Sequence, residues 1–149
     1  MRILVLNGPN LNFLGIREPQ IYGTTTYNDL LDMISEKAQE LKLEVKFFQS
    51  NHEGALVDVI QEAYFDKMDA IVINPGAYTH TSIAILDALK STGIPTVEVH
   101  LSDPCQREEF RHISYVGLYA VKTIKGKGVN GYIEALEFLK EYQDENKNK

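Results

Sequence analysis

Hydrophobic positions along the chain fall into two alternating patterns. Residues 2–6 (RILVL) are rich in strand formers and stop at Asn7-Gly8-Pro9, as a strand stops at a breaker. Thr26 then stands as an N-cap with Asp29 three residues on, and Leu30, Leu31, Ile34, Ala38 and Leu41 follow at helical spacing. Glu44–Gln49 (EVKFFQ) reads as a second strand, and Leu56, Val59, Ile60 and Ala63 stripe a second helix. Residues 70–73 (AIVI) are wholly apolar, as expected of a strand covered on both faces. Residues 82–90 form a third predicted helix, closed by Gly93 and Pro95. Strands at 96–101 (TVEVHL) and 119–125 come next. Ile133, Leu136, Phe138 and Leu139 then mark a last helix, which is expected to fray into the polar tail DENKNK at about residues 144–149.

Strand and helix alternating five times predict an α/β fold: a five-stranded parallel sheet with helices on both faces. The length suits one domain over residues 1–149 with a flavodoxin-like strand order, 2-1-3-4-5. In such folds ligands bind beyond the carboxyl ends of the strands, where the order reverses. That crevice lies between the first and third strands. Residues 7–23, 74–81 and 100–102 feed it. The first of these, NGPNLNFLGIREPQIYG, is longer than ordinary connections, and such segments are functional or disordered.

Charge narrows the choice. The net charge of −6 offers no basic excess for a general nucleic-acid role, though a few converging arginines could still hold a small anion. The single cysteine, Cys105, fits a reducing compartment, and its acidic and polar neighbours include no obvious activator. The opening MRILVL is too short for a signal-peptide core, and no apolar run approaches membrane-spanning length. A cytoplasmic protein is the expectation.

The unusual residues gather at the crevice. NPGAYTHTS (74–82) sets a turn that exposes backbone N–H groups near a helix start, where anions bind. Glu98 and His100 lie two apart on a strand and share a face. A carboxylate beside an imidazole orients the ring and favours its protonated form, which supplies a proton donor near neutrality. GKGVNG (126–131) formally matches a dinucleotide-binding motif, but no second strand follows to present the ribose-binding acid, so a glycine turn is the better reading. Flavin and phosphoacceptor sites are disfavoured: NGPNLN carries no Ser/Thr phosphate loop, and both relevant strands end in Asn (Asn7, Asn74). His52, Glu53, His80, Glu98 and His100 are metal-ligand types, although no spacing matches a known arrangement.

The segments NGPNLNFLGIREPQIYG, SNHEG (50–54), INPGAYTHTSIAILDAL (73–89), EVHLS (98–102) and REEFR (107–111), with the later GxGxxGY (126–132), together resemble the type II 3-dehydroquinate dehydratases. The resemblance runs in register from about residue 1 to about residue 140. It implies a cofactor-free hydro-lyase that converts 3-dehydroquinate to 3-dehydroshikimate and water in the shikimate route to aromatic amino acids. It also implies a dodecamer built as a tetramer of trimers.

The same resemblance assigns roles. Tyr22 is the base, acting as tyrosinate, and Arg17 is its activating cation. A phenol ordinarily titrates near about 10, and each unit of lowering asks for about 1.36 kcal/mol, which requires a site closed to water. The lid would be the part from Gly15 to Gly23. Asn10 stabilises the enolate through a held water, and His100, oriented by Glu98, is the acid for the departing hydroxyl. Asn74 and the N–H groups of Leu101 and Ser102 take the substrate carboxylate. His80 and Arg111 hold ring hydroxyls, and Asp87 reaches in from a neighbouring subunit. Arg107 matches a family position without an assigned role. Lys122, Asp103 and Leu86 depart from the family's commoner Gly, Asn and polar residues, and Asp103 adjoins the carboxylate pocket. The rival readings are a metal-dependent hydrolase built on the His/Glu set and a flavodoxin-like small-molecule-binding module.

Overall fold

The structure, a computed structural model, describes residues 1–149 apart from the side chain of Tyr22. Among the described residues five strands, β1 (Arg2–Asn7), β2 (Glu44–Gln49), β3 (Ala70–Asn74), β4 (Thr96–His100) and β5 (Lys122–Lys125), form one all-parallel sheet in the order β2-β1-β3-β4-β5. This is the flavodoxin-like arrangement expected from the sequence. The intervening helices are α1 (Pro19–Tyr22), α2 (Tyr27–Glu40), α3 (Glu53–Phe65), α4 (Ile83–Thr92) and α5 (Asn130–Lys147).

Strand alternation builds two cores. Ile3 and Val5 of β1 point to one face, where α2 and α5 cover them with Leu30, Ile34, Leu136 and Leu139. Leu4 and Leu6 point to the other face, under Leu56 and Ile60 of α3 and Ile85 and Leu89 of α4. This period-2 split, with both faces buried, explains why β3 carries no polar residue before Asn74. At the start of α2 the expected capping box is formed: Thr26 Oγ1 accepts from Asp29 N, and Asp29 Oδ2 accepts from Thr26 N, each at 3.1 Å. Ser82 caps α4, and Gly93 closes it at φ 67°.

Two boundaries and one connection differ most from the sequence reading. The fifth strand begins at Lys122 rather than 119, because residues 116–118 make a 3-10 turn that carries the chain round to Val121, whose N–H donates to Thr96 O. The last helix does not fray at 144; it runs to Lys147, its polar end composed of residues that favour or tolerate helix. The segment after β1 is not structureless. It holds a 3-10 turn at Leu11–Phe13 and the short α1.

The register pairs Asn7 with Asn74, so β1 and β3 end side by side. Their outgoing loops then nearly touch. Gly8 N donates to Asn74 O at 2.8 Å, and a Cβ at Gly8 would lie 2.3 Å from Pro75 O. Only glycine allows this approach. Gly8→Ala should therefore lower unfolding free energy by about 3 kcal/mol through forced displacement of backbone. Thermal or urea denaturation measures it, and an unchanged midpoint would mean that the two loops do not pack as described.

Candidate active site

At the carboxyl ends of β1, β3 and β4 lies a cavity of about 180 Å³. Eight of the eleven sequence-predicted site residues line it: Asn10, Arg17, Asn74, His80, His100, Leu101, Ser102 and Arg111. Arg107 lines it too. Glu98 sits behind His100 rather than on the wall. Asp87 is exposed on α4 and does not line the cavity of its own chain. Tyr22, the expected base, has its side chain outside the described residues.

His100 and Glu98 meet as their shared strand face predicted. His100 Nε2 lies 2.9 Å from Glu98 Oε1, and a carboxylate only accepts, so Nε2 carries the proton and Nδ1 is the nitrogen left for other work. Glu98 has no exposed surface, and such a group needs hydrogen-bond partners. Ser114 Oγ supplies them, standing 2.7 and 2.8 Å from the two carboxylate oxygens. Because its one proton is spent there, Ser114 Oγ accepts from Thr79 Oγ1 at 2.6 Å and from Gly117 N at 3.1 Å. Thr79 thus donates to Ser114, and Ser114 and His100 both donate to Glu98. The sequence reading missed Thr79 and Ser114, since neither hydroxyl stands in a pattern that singles it out.

His80 is fixed in a different way. Its Nδ1 lies 2.7 Å from the carbonyl of Ile113 and must donate to it, which leaves Nε2 as an acceptor. Burial lowers its pKa below the ordinary 6.5, partly offset by that backbone bond, while the charges of His100 and Arg111 push the same way as burial. Neutral His80 can therefore accept a hydrogen bond from a hydroxyl.

Asn10 sits in the left-handed region at φ 70°, which Asn tolerates better than most residues, and its N–H donates to Asn51 Oδ1 at 3.0 Å. Arg17 Nη2 lies 3.3 Å from Glu18 Oε2, and Arg111 Nε donates to Glu108 Oε2 at 2.8 Å. Three guanidinium groups and two imidazoles on one small wall make an anion-suited cavity in a protein of net charge −6.

Among the described residues no group of three or more His, Cys, Asp or Glu is placed to hold a metal. Cys105, read as lacking an activator, has Lys125 Nζ at 3.1 Å from its sulfur, a neighbour 20 residues away in sequence. The departures from the family pattern fall off the cavity wall. Asp103 turns away to accept from Cys105 N, Lys122 pairs with Glu134, and Leu86 is buried.

The chain matches the family model described as dehydroquinase class II over residues 1–140. It is 59% identical to a 3-dehydroquinate dehydratase of Caldicellulosiruptor bescii, over 96% of this chain and 99% of that one. It is 56% identical to a 3-dehydroquinate dehydratase of Clostridium perfringens, over 95% and 97%. Its fold superposes on the crystal structure of a type II dehydroquinase from Butyrivibrio crossotus with a TM-score of 0.92 at 56% identity, covering 93% of this chain and 97% of that one.

Removing the Ser114 hydroxyl leaves a buried carboxylate short of a donor. Ser114→Ala should cost about 1–3 kcal/mol of stability, read from the urea midpoint of the full chain. A midpoint equal to that of the parent would mean that Glu98 does not depend on Ser114.

Proposed function

The chain belongs to the class II dehydroquinase family, and from that premise we propose how its crevice carries out the family's reaction. The activity is that of a hydro-lyase: 3-dehydroquinate loses water to give 3-dehydroshikimate, a step of the shikimate pathway. The observation that carries the residue assignments is the convergence of Asn10, Arg17, Asn74, His80, His100 and Arg111 on one cavity at the strand-order reversal.

The substrate is a β-hydroxy ketone bearing a carboxylate. A base takes the proton next to the ketone and an enolate forms. The β-hydroxyl then departs, protonated, as water. Tyr22 is the proposed base, on the strength of the sequence resemblance, and Arg17 on the cavity wall is the cation that favours its phenolate. The segment from Gly15 to Gly23 is the lid that excludes water and so strengthens that pairing. Asn10, held in its left-handed conformation at the mouth of β1, stabilises the enolate oxygen through a held water. His100 enters this step as an imidazolium: its Nδ1 gives a proton to the departing hydroxyl, which leaves as water, while Nε2–H stays on Glu98, which fixes the ring from behind.

The rest of the wall binds. Asn74 and the N–H groups of Leu101 and Ser102 take the carboxylate, neutral His80 accepts from a ring hydroxyl, and Arg111 donates to one. We read residues 1–149 as one catalytic domain that works without a cofactor in the cytoplasm. Asp87, exposed on α4, completes the site of a neighbouring subunit, which fits a homo-oligomer and, by resemblance, a dodecamer arranged as a tetramer of trimers.

The function is tested by adding 3-dehydroquinate to the purified chain and following the ultraviolet absorbance of the conjugated product; no turnover would overturn it. Tyr22→Phe should cut kcat by about a thousandfold or more while product still binds. A rate near that of the parent would remove Tyr22 as base. The His80 assignment has a signed pH dependence. Its acceptor is present while the ring is neutral and is lost as pH falls through a pKa below 6.5. KM should rise only as pH falls below 6.5, and His80→Gln should abolish that rise. A flat KM in the parent would contradict the assignment.

A further inference from the structure

The glycine-rich run GKGVNGY takes no part in the chemistry proposed above, yet its contacts lead to one end of the crevice. Tyr132, in the first turn of α5, has a ring that is 1% exposed and packs in the core between α5 and the sheet. Its hydroxyl does something different. The oxygen lies 2.6 Å from Asn7 Oδ1, 125 residues away in sequence, and 3.0 Å from Asn74 Nδ2, and so bridges the ends of β1 and β3.

The direction of each bond can be deduced. Gly76 N–H donates to Asn74 Oδ1 at 3.1 Å, which fixes the amide with Nδ2 towards Tyr132. The Tyr132 oxygen therefore accepts from Asn74 and passes its own proton to Asn7 Oδ1. Asn7 Nδ2 in turn faces the Tyr27 hydroxyl at 3.4 Å. One hydrogen on Asn74 Nδ2 is committed to Tyr132, and the other is left for the cavity that Asn74 lines. Burial pushes the Tyr132 phenol well above its usual range, so it keeps the proton that this arrangement needs.

The turn before Tyr132 acts on the same end. Gly128 N donates to Leu101 O at 3.0 Å, and Gly126 N donates to Ser102 O at 3.1 Å. In a trans peptide the N–H points opposite to the C=O. Anchoring the Leu101 carbonyl to the turn therefore aims the Ser102 N–H the other way. Gly126 and Gly128 reach those carbonyls at φ 77° and 57°, a region that suits glycine.

We propose that Tyr132, with the Gly126–Gly128 turn, is a positioning element for the substrate carboxylate: its hydroxyl sets the free N–H of Asn74 while the turn sets the Ser102 amide. Tyr132 acts through Asn74 and does not touch substrate. The inference rests on the reading of Asn74 as a carboxylate contact. It also gives the motif a purpose unrelated to dinucleotides.

A double-mutant cycle on the full chain tests it, with kcat and KM read from product absorbance. Tyr132→Phe keeps the ring and removes the bridge. KM for 3-dehydroquinate should rise about tenfold, with kcat changed by less than about threefold, the pattern of lost uniform binding. Asn74→Ala should raise KM as well, and adding Tyr132→Phe to it should bring little further loss. If Asn74→Ala leaves KM unchanged, the reading of Asn74 itself fails. If Asn74→Ala raises KM but Tyr132→Phe does not, or if the two effects multiply, the positioning role is overturned and the reading of Asn74 stands. Should Tyr132→Phe not fold, Asn7→Ser withdraws the acceptor that orients the hydroxyl; it too should raise KM with kcat retained, and an unchanged KM would count against the proposal.

Discussion

A carboxylate with no exposed surface, Glu98 on an interior strand of a parallel sheet, is the constraint on which this crevice is built. Removing such a group from water costs several kcal/mol unless donors meet it, roughly as for any buried ion. His100 meets it from its own strand, and Ser114 meets it from the excursion between β4 and β5. Ser114 is turned towards Glu98 because Thr79 and Gly117 donate to it from the other side. The demand of one side chain thereby draws the β3–α4 connection and the 112–118 segment over the strand ends. That same excursion brings Arg107 and Arg111 to the wall and offers the Ile113 carbonyl that fixes His80.

The wall then divides by chemistry. Near the ends of β1 and β3, amides converge: Asn7, Asn74 and the Tyr132 hydroxyl join in one line of hydrogen bonds whose directions are all set. Near the end of β4, the imidazole of His100 stands with its free nitrogen available and the carboxylate behind it. In the proposed mechanism Asn74 of the first region, with the Leu101 and Ser102 amides just past β4, holds the substrate's fixed negative charge, and His100 moves a proton. Rigid strands carry both, and in the proposed mechanism the segment after β1 is the cover. This division also explains why the family departures at Asp103, Lys122 and Leu86 can stand in this chain. Their contacts are with Cys105, Glu134 and the core, away from the amides that face the cavity.

Much of this was legible in sequence because it follows from periodicity. The capping box at Thr26 and Asp29, the apolar β3 and the Glu98–His100 spacing each obey a local rule. Ser114 and Thr79 obey none. Their roles arise from a carboxylate 16 or more residues away, which only the fold brings near. Tyr132 appears in sequence only as the last residue of the GxGxxGY run; its ring packs in the core, but its hydroxyl serves Asn7 and Asn74 through a contact that periodicity does not encode. The two misplaced boundaries have similar causes. Residues 119–121 look like strand but are bent by the preceding 3-10 turn, and the polar end of α5 lacks an apolar stripe while keeping adequate helix propensity.

The central claim is that two separate groups handle the two proton transfers, with the carboxylate-held imidazole serving only the second. Proton exchange in heavy water separates them. With His100→Ala in deuterium oxide, the account predicts that 3-dehydroquinate loses its proton next to the ketone to solvent exchange, seen by proton NMR, while product formation falls by about a hundredfold or more. Product forming at the parent's rate, or exchange vanishing together with turnover, would contradict it.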